Sequence, residues 1–375
     1  MTAPEVSADR ESVVRVSTLE LFFDLVFVFT ITQLTAVLAH DLTVGTALRV
    51  LLLLLIIWWM YDGFAWMTNT AAPTDPVRRA LLLLGMAGFL LIALALPDAF
   101  GAAGWAVGAG YFLVNAIHSG LLLRVAPDAM RKLAPLNLLS ASLVLAGGLV
   151  PDPWRIILWI GAALVMTASP YLHPLTEWNI SSAHFVERHG LIVIIALGES
   201  IVAIGVGASG LKLTPTLIFV AFLGLVLSFL LWWVYFGGDD SAAEEALDRT
   251  PVEKRGRAAL HAFGWAHVPL LLGIIGLAAG VKKAIGHATE HISVAQALVL
   301  SGGVAVFLLG DGLFRRILRI GTPWFRVVAG LGALLTVPLG LWLNAVAQLS
   351  ALVLLLAALL LLERRSPDKP RAAAR

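Results

Sequence analysis

"TLELFFDLVFVFTIT", Thr18 to Thr32, decides how the rest of the chain is read. It opens an apolar run long enough to cross a bilayer. It also holds Glu20 and Asp24, which at i and i+4 lie on one face of a helix. Lipid rejects bare charge, so a span that keeps two carboxylates on one face has to turn that face toward other helices. The stretch therefore predicts a bundle of membrane helices with a polar contact inside it.

Composition agrees. Of 375 residues, 59% are hydrophobic and 13% charged, and the mean hydropathy is +0.90. Soluble domains carry about 25% charged residues, too many fewer being unable to cover a wet surface. With no cysteine, disulfides, thiolate metal sites and cysteine nucleophiles are excluded. The net charge of +2 sits in basic loops, and no nucleic-acid surface is read from it. The N-terminal "MTAPEVSADRESVVR" lacks the apolar core and small-residue cleavage site of a signal peptide, so the first apolar run is expected to be a retained span.

A helix needs about 20 apolar residues to cross the hydrocarbon core. Candidate spans lie near residues 16–39, 45–67, 79–97, 103–124, 132–150, 154–171, 184–206, 214–236, 258–280, 293–314, 324–342 and 345–362. The last two are separated only around Asn344, where a single re-entrant segment would change the parity. Loop charges test the count, because Lys and Arg accumulate on the cytoplasmic side of short loops. With the N-terminus inside, 20 of the 26 basic residues fall on the inner side. Arg49, Arg155, Lys212, Lys282 and Lys283 fall outside, and Arg188 opens span seven. Both termini are thus expected in the cytoplasm.

The chain also echoes itself. Span two ends "IIWWMYDGF" and span eight ends "LLWWVYFGG"; the following spans begin "RRALLLLG" from Arg78 and "RAALHAFG" from Arg257. Span four ends "HSGLLLR" and span ten "GDGLFRR". The expected fold class is an all-α polytopic membrane protein of about 12 transmembrane helices in two parallel six-helix repeats, residues 16–171 and 184–362. A cytoplasmic tail, 1–15, precedes them and a basic tail, 363–375, follows. The longest inner loop, Gly237 to Arg257, is helical in propensity and is expected to form a surface helix.

Candidate functional residues gather near the inner ends of the spans. Glu20 and Asp24 open span one, Asp62 ends span two, and His118 lies near the inner end of span four. Glu187, Arg188 and His189 open span seven, His261 and His267 open span nine, and Asp311 ends span ten. Glu199 follows Arg188 by 11 residues, about 16 Å at 1.5 Å per residue, on one stripe through Ile192 and Ile195. It is the deepest carboxylate, and the adjacent Gly198 is expected to let a neighbouring helix approach. Glu20 and Asp24 either relay a cation or form a buried ion-pair lock with Arg188 or a histidine. The histidines are candidate proton carriers or structural hydrogen-bonders. Gly104-x-x-x-Gly108 and Gly276-x-x-x-Gly280 are expected close-packing positions. His184, Glu187 and His189, at i, i+3 and i+5, do not share a helix face, so no zinc site is expected. No cofactor pattern is present either: phosphate-loop, G-x-S-x-G and H-E-x-x-H motifs are all missing from the sequence. The Asn179-Ile180-Ser181 sequon falls on the expected inner side and has no meaning there.

"STLELFFDLVFVFTITQLT", the "WWMYDG" end of span two and "HFVERHGLIVIIALGESIVAIG" together resemble the bacterial low-temperature-requirement A family, over nearly the whole chain. The resemblance implies a multi-spanning inner-membrane protein whose family name records a growth phenotype. More faintly, "FFDLVFVFTITQL" resembles the first helix of potassium channels built from six-helix repeats. Phe23 stands where those carry serine, and the second half has no such motif. The expected function is transport or ion permeation of a small solute or cation in the bilayer; the alternative is a membrane enzyme or accessory protein acting on lipid.

Overall fold

A computed structural model describes residues 16–70, 75–172 and 180–365. The expected tails, apart from residues 363–365, and the sequon's Asn179 lie outside the described residues. The described residues are helical, without strands. The helices are α1 (Thr18–His40), α2 (Val44–Thr70), α3 (Pro76–Ala95), α4 (Gly104–Val125), α5 (Pro127–Leu149) and α6 (Trp154–Leu172). After them come α7 (Ser182–Ala208), α8 (Pro215–Phe236), α9 (Asp239–Arg249), α10 (Val252–Ala259), α11 (His267–Ile285) and α12 (Val294–Leu318). The chain ends in α13 (Trp324–Leu334), α14 (Val337–Trp342) and α15 (Ala345–Arg365). Among the described residues, twelve segments are long and apolar enough to cross a membrane. An even number of crossings returns the chain to the side it left; that side, which carries Ser17 and Arg365, is here the terminal face.

Short turns join the helices. Between α1 and α2, the hydroxyls of Thr46 and Thr43 bond the exposed Asp41 and hold its carboxyl below the usual range. Outward faces remain apolar: Phe219, Phe222, Leu225 and Phe229 form an exposed stripe along α8 at helical spacing, as a lipid-facing side requires. At the centre, α1 packs on α3, α7 and α11. Toward the ends of the bundle, α3 lies on α4 and α4 on α5, while α11 lies on α12 and α12 on α13. Likewise α2 packs on α6, and α8 on α15.

Small residues set the tightest contacts. A Cβ on Gly273 would lie 2.7 Å from the Gly303 carbonyl oxygen, and one on Gly276 3.3 Å from Gly303 Cα. At the other end a Cβ on Gly108 would lie 2.7 Å from Leu145 Cα. Backbone-to-backbone approach of this kind replaces the hydrophobic drive that lipid removes. Gly198 differs from expectation: a Cβ there meets nothing within 4 Å, so no helix approaches at that point.

Three segments depart from the plain count. The ninth span begins at Val252 and passes through a π-helical turn, Leu260–Trp265, before α11. The eleventh is broken at Leu335 and Thr336 into α13 and α14. Thr336 Oγ donates to the Ala333 carbonyl at 2.7 Å and meets Ser301 Oγ at 2.8 Å. Gln348 of α15 donates to Ser301 Oγ at 2.7 Å and to the Ala297 carbonyl at 2.8 Å, closing a buried polar knot at the break. The loop Gly237–Arg257 forms α9 and α10, but α9 is not a free surface helix: it packs on α7 and buries Asp239, Ala243 and Leu247.

Candidate functional site

The first helix starts at Ser17, whose hydroxyl accepts the Glu20 N–H. In return Glu20 Oε2 accepts from Ser17 N–H and Oγ–H, each at 2.8 Å, a capping box. Glu20 therefore has a local duty at the helix start. Its other oxygen reaches across to α7: Arg188 Nη1 donates to Glu20 Oε1 at 2.6 Å and to Thr68 Oγ1 at 3.1 Å, while Nη2 donates to Asp24 Oδ1 at 3.0 Å. Exposure is 3% for Glu20, 0% for Asp24 and 1% for Arg188. The guanidinium also lies within 6 Å of the Phe23 and Tyr61 rings, at 5.7 and 5.8 Å.

Donor counting distinguishes the two carboxylates. Asn69 Oδ1 accepts the Ser181 N–H at 3.0 Å, which orients the amide, so Asn69 Nδ2 is the donor at 3.2 Å to His184 Nδ1. The His184 proton must then sit on Nε2, 3.3 Å from Glu20 Oε1. Glu20 thus accepts from Arg188, His184 and twice from Ser17. Asp24 accepts only on Oδ1, from Arg188 and from Tyr61 O–H at 2.9 Å; its Oδ2 has no partner among the described residues. Two carboxylates share one guanidinium, and the shortfall falls on Asp24.

Beside this cluster, His189 of α7 meets Asp62 of α2, with Nε2 3.0 Å from Oδ1. His189 Nδ1 lies 2.8 Å from the Phe185 carbonyl, an obligate acceptor, so Nδ1 carries a proton. The contact between Nε2 and the carboxyl then requires one further proton, on either partner. The pair thus shares one proton at the junction of α2 and α7. Next to it, His267 Nδ1 donates to the Ala262 carbonyl across the π-helical turn at 3.0 Å, and its Nε2 meets the Tyr235 hydroxyl at 2.9 Å. The His189 and His267 rings stand 5.5 Å apart, and Trp58 lies parallel to His267 at 6.1 Å. Trp58 Nε1 donates to the Gly264 carbonyl at 2.7 Å, tying α2 to the same turn.

Farther along the α1–α7 contact, Thr32 Oγ1 lies 2.6 Å from Glu199 Oε2 and 3.3 Å from the Val28 carbonyl. A protonated Glu199 would donate to Thr32, whose own hydroxyl would then donate to the Val28 carbonyl; an ionised one would accept from Thr32. Both states are hydrogen-bonded. Arg188 and Glu199 both turn to α1, as one stripe requires.

The remaining candidates lie elsewhere. Glu187 is exposed and, among the described residues, accepts only the Val16 N–H, at 3.4 Å. His261 is half-buried and meets Tyr171 O–H at 3.1 Å. His118 lines a separate cavity between α2, α4, α5 and α6. Asp311 belongs to a second buried ionic cluster at the terminal face. There Arg326 donates to Asp311 at 2.6 Å and to Glu363 at 2.8 Å, and Arg315 to Asp239 at 2.5 Å and to Glu363 at 2.9 Å. Arg315 and Arg326 are among the 20 basic residues that the charge count assigns to the inner side; the structure buries both, with Asp239 and Glu363 as partners that the sequence does not mark. One signal was available: Asp311 and Arg315 stand at i and i+4. Tyr61, Thr68 and His184 were missed as partners in the first cluster.

The family model described as bacterial low temperature requirement A protein (LtrA) matches residues 15–361. An uncharacterized protein of Rhizobium meliloti (strain 1021) is 31% identical over 333 residues, which cover 82% of this chain and 79% of that protein.

Proposed function

Because the chain belongs to the bacterial low temperature requirement A family, a family of polytopic membrane proteins, we propose that it is an inner-membrane transporter that moves a small solute or cation against protons. The observation that carries this reading is the Asp62–His189 pair. A buried group that must hold one proton in a choice of two places, beside a cluster short of positive charge, is built for proton exchange rather than for stability. Ionisable groups inside a membrane bundle are costly and mark pathways and relays. Glu199 and its threonine supply a second hydrogen-bonded proton position along the α1–α7 contact.

The matching packing within residues 16–171 and 184–362 supports the reading of two parallel repeats, with the exchange site between them. In this arrangement the terminal face is cytoplasmic. A single cysteine placed at Ser366 in this cysteine-free chain is expected to resist an impermeant thiol reagent in intact spheroplasts and to react after lysis. Labelling in intact spheroplasts would refute the topology.

Glu199→Gln removes the ionisable proton and keeps a hydrogen-bonding side chain. The variant is expected to fold as the parent does and to lose most proton-linked flux in proteoliposomes. Full flux from a well-folded Glu199→Gln protein would remove Glu199 from the pathway. The competing reading, an enzyme or accessory protein acting on lipid, draws on one observation. A cavity of about 470 Å³ at the second ionic cluster is lined by Trp232, Trp233 and Phe325 together with Arg315 and Arg326, a combination suited to a lipid headgroup and its chains. Lipid turnover by the purified protein, with no flux, would favour it.

A further inference from the structure

A cavity of about 100 Å³ lies between α2, α4, α5 and α6, with Leu260 of the π-helical turn also on its wall. His118 lines it with 6% of its surface exposed, and neither of its ring nitrogens has a hydrogen-bond partner among the described residues. A buried imidazole normally satisfies both nitrogens, since leaving a buried donor or acceptor unpaired costs about 1–3 kcal/mol. His118 is held in place all the same: its Nε2 lies 3.1 Å from where a Cβ on Gly63 would be, and its ring packs on Phe64 at 5.3 Å. An immobilised imidazole with unused hydrogen-bonding capacity on a cavity wall points to a ligand.

The wall specifies the ligand's charge. Asp62 is part of it, and spends Oδ1 on His189; Oδ2 has no hydrogen bond among the described residues. No Lys or Arg lines the cavity, so an anion would find no counter-charge. Trp59 and Trp66 add aromatic surface of the kind that attracts cations. The Asn115 amide accepts from Ser119 through Oδ1 and lies beside the Tyr111 hydroxyl; its Nδ2 carries two hydrogens, so one can donate to a ligand oxygen. Pro170, also on the wall, has no N–H to give the Met166 carbonyl, so α6 carries a spare acceptor at this level.

We propose that this cavity binds a small organic ammonium that carries a hydroxyl, its charged nitrogen on Asp62 and its hydroxyl on His118. A neutral imidazole has one donor and one acceptor to satisfy, and a hydroxyl can meet either. The site adjoins the proton-holding pair through Asp62, so ligand and shared proton meet on one carboxyl group. In naming the transported class this inference rests on the transport reading; the binding it predicts does not.

Isothermal titration of the purified full chain in detergent with 2-aminoethanol tests it, with ethylene glycol and acetate as uncharged and anionic controls. The expected result is saturable binding of 2-aminoethanol alone, weakened about tenfold or more by His118→Ala, the scale of a lost hydrogen bond to a charged or buried partner. If His118→Ala elutes aggregated, Asn115→Leu is titrated in its place, with loss of affinity again expected. Absence of saturable binding to the parent protein, equal binding of ethylene glycol, or unchanged affinity in the folded variant would each overturn the inference. If binding is absent while proteoliposomes still show proton-linked flux, the transport reading stands and only this site falls. Binding without flux would keep the site and sink the transporter.

Discussion

Arg188→Gln is expected to lower the stability of the folded protein in detergent by about 3–5 kcal/mol, the cost of stranding a buried charge by removing its partner. The loss should be uneven between the two carboxylates left behind. Glu20 keeps His184 Nε2–H and the two Ser17 donors. Asp24 keeps only Tyr61 O–H. Adding Asp24→Asn to Arg188→Gln should therefore recover more stability than adding Glu20→Gln. It should also make the double change cost less than the sum of its single changes. Reversible unfolding in mixed micelles, or the thermal midpoint where unfolding is irreversible, reads this directly. Strict additivity of Asp24→Asn and Arg188→Gln, or better rescue by Glu20→Gln, would contradict the arrangement.

The ion pair between α1 and α7 was legible in the sequence because lipid leaves a charge so few alternatives. A span that begins with Glu20 and Asp24 and a span that begins with Arg188 are obliged to find each other. The partners of that pair were not legible. Tyr61, Thr68 and His184 join it through the rotation of each helix about its own axis, which a weakly amphipathic membrane helix does not announce. The second cluster was hidden by a different assumption. Counting Arg315 and Arg326 as loop charges places them in water. In fact α12 runs on to Leu318 and α9 folds back, so that Asp239, Asp311 and Glu363 enclose both guanidinium groups. The count of crossings came from hydropathy. The break at Leu335 and Thr336 did not, since the α13–α14 segment is apolar on both sides of it and only Ser301 and Gln348, from other helices, stabilise the turn. Gly198 misled because glycine marks close approach only where a neighbour lies opposite, and none does.

Asp62→Asn carries the sharpest functional expectation. An asparagine amide can donate to His189 Nε2 in place of the shared proton, while His189 Nδ1–H still donates to the Phe185 carbonyl. Every hydrogen bond of the pair survives and no partner is left charged, so the variant should fold with near-parental stability. What it lacks is a proton to give up. If the pair were structural, Asp62→Asn would be silent; if it exchanges protons, the variant should lose about a hundredfold or more of the proton-linked rate, the scale on which a positioned proton carrier acts.

The direct test is the proton flux of purified protein in sealed liposomes with a pH-sensitive dye inside, driven by an imposed gradient of 2-aminoethanol or of a panel of small solutes. The account predicts a solute-dependent change in internal pH with the parent protein and none above protein-free liposomes with Asp62→Asn, both proteins being equally folded and incorporated. Equal flux from the two proteins, or no flux from the parent with any solute, would contradict it.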